Sequence, residues 1–421
     1  MTSDIISTHH TPIDPPLSRI GLGTQSSEVR RAQDFPTDAK TRVRKRVAFL
    51  FNHYDNHQIL HAAPYACALS QRSELFDVHI LCSTTSQMIF AQKIAAAYGE
   101  HTCQFTLLDI PLWAKTLDPL VSKWVFIRKQ AALKANVELF ASFDAIVSPE
   151  RTTSKLHDKY GLTDPEFIRI LHGAGDRDGG VSPNSQAFGL TLLPGQKYLE
   201  RILHSQDAAC SHYVVSGCAK FEAVEQLSPH IPKLFNNDNP TVVYAPHFDQ
   251  KVSSWSKMGI DILDYFRTHT HYNLIFAPHV ILFKRARRHK AHLPQRFVNT
   301  ETMLLDTGSQ RSVDMSYMRA ADIYLGDASS QVYEFLNQPR PCIFADAHHT
   351  DWQDNSFYQH WKFGDVIQNI AELEQALEQA HDKHADYAPV QRQMFNHSFS
   401  KNDTPVSERG ADLIANHLLR T

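Results

Sequence analysis

The sequence predicts an α/β protein of two doubly wound units whose parallel sheets face each other across a cleft. Three observations carry this. Short apolar runs alternate with helical stretches along most of the 421 residues. The runs are apolar at consecutive positions, as in "RVAFLF" (46–51) and "FGLTLL" (188–193), the pattern of strands covered on both faces. The rhythm lapses in "EAVEQLSPHIPKLFNNDNP" (222–240) and then restarts, so two such units follow one another.

Residues 1–44 read as a flexible tail, broken by Pro12, Pro15, Pro16 and Gly21 and without a period. Its "GLG" (21–23) follows no strand, so it is not a dinucleotide loop. The first unit spans 45–222. Its strands are expected at 46–51, 76–81, 103–108, 143–148, 167–171, 188–193 and 212–217, with helices at 58–71, 86–98 and 118–141. A linker is expected at 223–240. The second unit, 241–400, carries strands at 241–246, 272–279, 303–306, 323–327 and 341–346. Its helices are expected near 257–268, 312–321, 329–337 and 370–383, and a final helix occupies the 401–421 segment. In such sheets ligands bind beyond the carboxyl ends of the strands.

Composition narrows the function classes. Hydrophobic residues make up 42% and charged residues 21%, which excludes a wholly disordered chain. The net charge of −3 gives no global attraction for nucleic acid. The six cysteines form no Cys-x-x-Cys pair or zinc spacing and read as reduced, buried thiols. No apolar run approaches the ~18 residues of a membrane span, and the N-terminus has no signal-peptide core. These features point to a cytoplasmic protein, with a peripheral position on the inner face of the membrane as an option.

The chemistry concentrates at strand ends. In "ADIYLGDASSQVYEFL" (321–336) a strand breaks at Gly326-Asp327 and a helix resumes behind Ser329 and Ser330. The first N–H groups of a helix have no intrahelical partner and carry the positive end of its dipole, so a phosphate fits there. Asp327 is a candidate N-cap, and a Ser/Asp cap without a ligand is the other reading. "FAPHV" (276–280) ends a strand of the same unit in His279, which can donate to a diphosphate. "ILHGAGDRDGG" (170–180) ends a strand of the first unit in His172, followed by four glycines. The glycines permit close backbone approach, and His172 on that lip suits a general base. "DRDGG" lacks the other ligands of a calcium loop.

Taken together, a strand ending in His-Gly, "YAP" opening the second unit, a Pro-His strand end and Gly-Asp-x-Ser-Ser entering a helix resemble the CDP-glycerol glycerophosphotransferases. These are teichoic-acid polymerase-like enzymes with two Rossmann-like domains, the GT-B architecture. "YMRAADIYLGDASSQVYEFL" followed by "RPCIFAD" carries the resemblance best. It implies a transferase that moves a glycerophosphate or glycosyl group from a nucleotide-activated donor to a hydroxyl acceptor in envelope or capsular polymer synthesis. It implies His172 as base, with His279, Ser329 and Ser330 on the donor diphosphate, and no cofactor or metal. Where that family often reads Thr-Trp-Arg after "YAP", this chain has His247, Phe248 and Asp249. A glycosyl donor therefore stays as open as CDP-glycerol. A nucleotide-sugar epimerase of the UDP-N-acetylglucosamine 2-epimerase kind and a non-catalytic nucleotide-binding relative are the alternatives.

Further candidates surround these. "NHYDNHQILH" spaces His53, His57 and His61 four apart, but no complete metal set accompanies them. His57 and His61, with Asp176 and Arg177, are acceptor-side candidates. Arg311 and Ser312, in "DTGSQRSVDMSYM" (306–318), and Glu334, one turn into the phosphate helix, are candidates for the nucleotide. "FKRARRHK" (283–290) concentrates basic residues at 284–290, either a solvated loop or a site for an anionic membrane surface.

Overall fold

A computed structural model describes residues 30–31, 44–54, 56–121, 127–172, 176, 187–204, 212–284 and 291–420. The chain forms two sheets in which every adjacent pair of described strands is parallel. The first contains β1 (Arg30–Arg31), β2 (Lys45–Phe51), β3 (Phe76–Cys82), β4 (Gln104–Leu107), β5 (Ala145–Ser148), β6 (Glu166–Ile170), β7 (Phe188–Leu193) and β8 (His212–Val215). Its order is β1-β4-β3-β2-β5-β6-β7-β8. The second contains β9 (Thr241–Ala245), β10 (Asn273–Phe276), β11 (Met303–Leu305), β12 (Ile323–Gly326), β13 (Cys342–Ala345) and β14 (Asp365–Ile367), in the order β11-β10-β9-β12-β13-β14. The consecutive apolar runs are buried on both faces: all of β5, β9, β10, β12 and β13 is buried.

In both sheets the order in which strands are added reverses at the centre, between β2 and β5 in one and between β9 and β12 in the other. At such switch points the carboxyl ends of the strands open a crevice. One apolar cluster joins the units, running from Phe49 and Tyr65 of the first to Tyr324, Tyr333 and Phe335 of the second.

The elements depart from the sequence expectations in instructive places. Within the 1–44 segment, Arg30–Arg31 pair in parallel with Thr106–Leu107 as an edge strand. The expected 118–141 helix is three shorter ones, Leu112–Val121, Ile127–Ala135 and Val137–Ala141. Asn136 separates the last two. Its amide donates to Ala132 O (2.7 Å) and Asp109 O (2.8 Å), side-chain bonding that competes with the helical ladder. Helix Ala219–Leu227 fills the start of the expected linker, so the irregular connection begins only after it. The edge strand β14 is three residues long, too short to show a period. The helix expected to stop near 383 continues as Leu373–Ser398, with Pro389 inside it.

The last helix, Val406–Leu418, returns to the first unit. His417 pairs with Glu166 at 2.8 Å, Arg72 with Asp412, and Ser407 N donates to Glu222 at 2.9 Å. A Cβ at Gly410 would stand 2.3 Å from the ring of Tyr65, whose hydroxyl is held by Ser216 and Gly217 at 3.2 Å. In an open helix Gly410→Ala would gain roughly 1 kcal/mol. Packed on a ring that cannot swing away, it is expected to lose about 1–3 kcal/mol instead. Equilibrium urea unfolding checks the sign.

Candidate active site

The carboxyl edge of the first sheet gathers histidines from two loops and a helix. His172 follows β6, and His53 and His57 follow β2. His61 lies in helix Ile59–Ser70, every residue of which is buried. The ring of His57 stands 5.9 Å from that of His172 and 4.7 Å from that of His53, and the ring of His61 stands 5.7 Å from His172. Gln58 meets His172 directly, Nε2 to Nε2 at 3.2 Å. Glu150, beyond β5, holds Lys129 at 2.9 Å and lies 3.6 Å from His53. A carboxylate thus does reach the histidines. Among the described residues, however, no group of three or more His, Cys, Asp or Glu is arranged to hold a metal ion.

Burial governs the charge of this cluster. It pulls His57 and His61 well below the ordinary 6.5, with neighbouring cations adding to the effect. His172 falls to about 4, again through burial, which Glu150 offsets in part. All three imidazoles are therefore neutral at pH 7, the form in which an imidazole can take a proton.

The second sheet offers a different edge. His279 follows β10, its backbone N–H held by Pro246 O at 3.0 Å, and its ring lies 5.6 Å from His247 and 4.8 Å from Phe248. Gln310–Ser312 is a single 3-10 turn that displays exposed Arg311, and the hydroxyl of Ser312 is buried without a hydrogen-bond partner. Between the two edges lies a cavity of about 560 Å³. The first unit lines it with Tyr54, Thr84 and Ser86, and the second with Lys284 and the turn Gly308–Gln310.

The serine motif is built differently from its sequence reading. The helix behind it is only Gln331–Phe335, and Ser330 occupies the N-cap position without a side-chain cap bond. Ser329 is buried, its hydroxyl 3.3 Å from Gln331 Oε1. Asp327 is no cap. Its carboxylate turns away and accepts from Ser254 N (2.7 Å), Ser254 Oγ (2.8 Å) and His247 N (2.9 Å). Complete burial pushes it up to about 6 despite these donors. Gly326 serves space rather than turning: a Cβ there would stand 2.5 Å from the hydroxyl of Tyr324.

Two further candidates are placed in ties between the units. Glu334 pairs with Lys220 of helix Ala219–Leu227 at 2.5 Å. Asp176, expected toward the acceptor, is enclosed. It accepts from Tyr333 OH (2.7 Å), His360 N (3.0 Å) and His360 Nδ1 (2.8 Å), and it pairs with Lys197. Burial raises this carboxyl, but His360 and Lys197 outweigh it and hold it well below the usual carboxylate range. Arg177 lies outside the described residues. Sequence reading missed Gln58, Lys220, Lys197, Glu150 and His360. Glu150 alone left a signal, standing just past the strand end "FDAIVS".

The two parallel sheets and their helices form a fold of the GT-B type. Residues 221–416 match the family model described as CDP-Glycerol:Poly(glycerophosphate) glycerophosphotransferase. No curated protein matches it by sequence. Among solved structures, the wall teichoic acid polymerase TagF shares the fold with a TM-score of 0.57 at 13% identity, covering 89% of this chain and 90% of that one. A structure described as a UDP-N-acetylglucosamine 2-epimerase from Listeria monocytogenes gives 0.55 at 13% identity, covering 90% and 98%. The S. aureus MnaA–UDP co-structure gives 0.54 at 12% identity, covering 89% and 96%. The fold is thus common to both, and the family match separates them.

The histidines make a pH dependence testable. A buried neutral His adds stability above the unfolded value of 6.5 that is lost as pH falls toward its folded value, about 4 for His172. Asp327, raised from 3.8 to about 6, acts in the opposite sense between those values. Three histidines outweigh one aspartate, so Tm is expected to fall from pH 7 to pH 5. Replacing His57 and His61 by Asn should flatten that slope, as measured by calorimetry across the range.

Proposed function

We propose that the protein transfers glycerol phosphate from a CDP-glycerol-like donor to the terminal hydroxyl of a cell-envelope polymer. The match of residues 221–416 to the glycerophosphotransferase family carries this reading. The neutral His172 at the edge of the first sheet supplies the base it needs.

In this mechanism the acceptor hydroxyl is held at the first unit and loses its proton to His172. Its oxygen attacks the phosphorus that bears glycerol. The bond from that phosphorus to the bridging oxygen breaks, and the nucleoside monophosphate leaves with the electron pair. His279, Arg311, Ser312 and the Ser329–Ser330 turn would hold the donor phosphates and nucleotide. Lys220, beside His57 and His61, is an added cation for the same charge. Fixed donors in a site closed to water stabilise developing charge far better than they would in solution.

Release of the monophosphate from CDP-glycerol, dependent on a glycerophosphate-primed acceptor, tests the reading. His172→Ala is expected to lower kcat by ~100-fold or more with donor affinity nearly unchanged. Ser330→Ala should weaken donor binding first. Epimerisation of a nucleotide sugar without any acceptor would favour the epimerase reading, and tight nucleotide binding with no turnover would favour a non-catalytic relative.

The basic run 284–290 supports a membrane setting for the acceptor. Lys284 is exposed at the rim of the cavity, and 285–290 lie outside the described residues. No helix among the described residues is long and apolar enough to cross a membrane. Binding to vesicles through this run should require anionic lipid and weaken with salt. Co-sedimentation that ignores salt would remove the membrane role.

A further inference from the structure

We infer that the outward face of helix Leu112–Val121 docks on an anionic phospholipid bilayer beside the mouth of the cavity between the units. This rests on the membrane setting proposed above and adds to it an apolar contact, in the first unit, separate from the basic run 284–290.

The helix is amphipathic in the reverse sense. The wide apolar stripe of a surface helix ordinarily faces the core. Here the side that packs is small: Ala114 is fully buried and meets Ile110, Ala131 and Ala132 in one cluster. The large apolar side chains face out. Leu112 is 78% exposed, Trp113 55% and Leu117 43%. With 3.6 residues per turn, Leu112, Thr116, Trp113 and Leu117 fall within about 140° of arc, so they form one stripe. Single exposed apolar residues are ordinary on a protein surface, whereas a contiguous stripe marks a contact. Tryptophan and leucine flanked by lysine make a helix that lies in the bilayer interface, with apolar side chains in the acyl boundary and cations among the headgroups.

Charge selects the occupant. Lys115 is exposed at the edge of the stripe. Residues 111–135 carry Lys115, Lys123, Arg128, Lys129 and Lys134 against a single acid, Asp118. Lys129 is taken up by Glu150, while Lys134 is exposed like Lys115. A surface of anionic headgroups over acyl chains meets both the stripe and this excess of cations.

Position gives the contact its use. The helix packs on Ile127–Ala135, whose Arg128 donates to His53 O at 3.3 Å and lies 4.4 Å from the centroid of the Tyr54 ring. Tyr54 lines the cavity from the first unit, and Lys284, the first residue of the basic run, lines it from the second. The stripe, the cavity and the basic run are therefore neighbours at the carboxyl edges of the two sheets. Stable anchoring takes two weak signals, and the stripe and the run supply one each. An acceptor carried on that bilayer would reach the cleft by moving in its plane.

The test uses the full chain and vesicles of phosphatidylcholine with or without phosphatidylglycerol. Co-sedimentation with the mixed vesicles is expected. Leu112→Ser, Trp113→Ser and Leu117→Ser together should weaken it by roughly 10-fold or more at fixed salt. The steepness of its salt dependence should stay the same, because the basic run is intact. All three side chains are exposed, so the triple variant should match the parent in circular dichroism and Tm. Trp113→Phe should still bind, but should lose fluorescence quenching that brominated acyl chains cause in the parent. A triple variant that binds as tightly as the parent, or quenching that Trp113→Phe leaves unchanged, would overturn the inference. So would a dimer in sedimentation velocity that the triple variant loses, since the occupant would then be a second copy. Monophosphate release with an acceptor free in solution keeps the two readings apart. The triple variant should retain it, and a parent that lacks it would remove the transferase reading while the vesicle result stood.

Discussion

The arrangement of the two units depends on one buried carboxylate. Asp176 follows the strand that carries His172, yet its donors come from both sides: Lys197 from the first unit, Tyr333 and His360 from the second. Its side chain is 0% exposed. A charge so placed is tolerated only when every lone pair is met, and removing one partner of such a set typically costs 3–5 kcal/mol. The set continues outward. His360 Nε2 reaches Asp327 O at 3.0 Å, and the Asp327 carboxylate fixes the loop that bears His247. The loop behind the candidate base and the loops of the donor side thus share one hydrogen-bonded framework.

That framework explains how two sheets with separate cores can present one site. The apolar cluster through Tyr65, Tyr333 and Phe335 is continuous, so the seam is packed as well as bonded. Along it, Lys220 and Glu334 pair beside the histidines. The two lips divide the chemistry: neutral imidazoles on one, N–H groups, hydroxyls and Arg311 on the other. A base is best left uncharged and an anion best met by donors, so the separation keeps each environment suited to its task.

The same architecture serves proteins described as polymerases and as epimerases, so the fold alone does not choose a reaction. The choice lies in which groups face the cleft. Here the first-unit lip carries several imidazoles, and Glu150, the carboxylate that reaches them among the described residues, is already committed to Lys129. That is the setting on which the proposed proton transfer rests.

Much of the fold was legible because parallel strands are hydrophobic on both faces, and that leaves consecutive apolar runs. A strand of this kind is marked by its own consecutive residues, and "FGLTLL" became β7 residue for residue. Strand ends, read as sites, led to His172 and His279. The sequence could not assign Asp327, Glu334 or Asp176. Each is an ordinary acid beside a glycine or on a helix, and only the packed chain shows what it meets. Asp327 serves a loop some seventy residues earlier, Glu334 pairs with a lysine 114 residues earlier at the end of the first unit, and Asp176 binds a histidine 184 residues away. Local chemistry is written in neighbouring residues. Pairing across such distances is decided by which buried charges the closed structure must satisfy, and so only by tertiary structure.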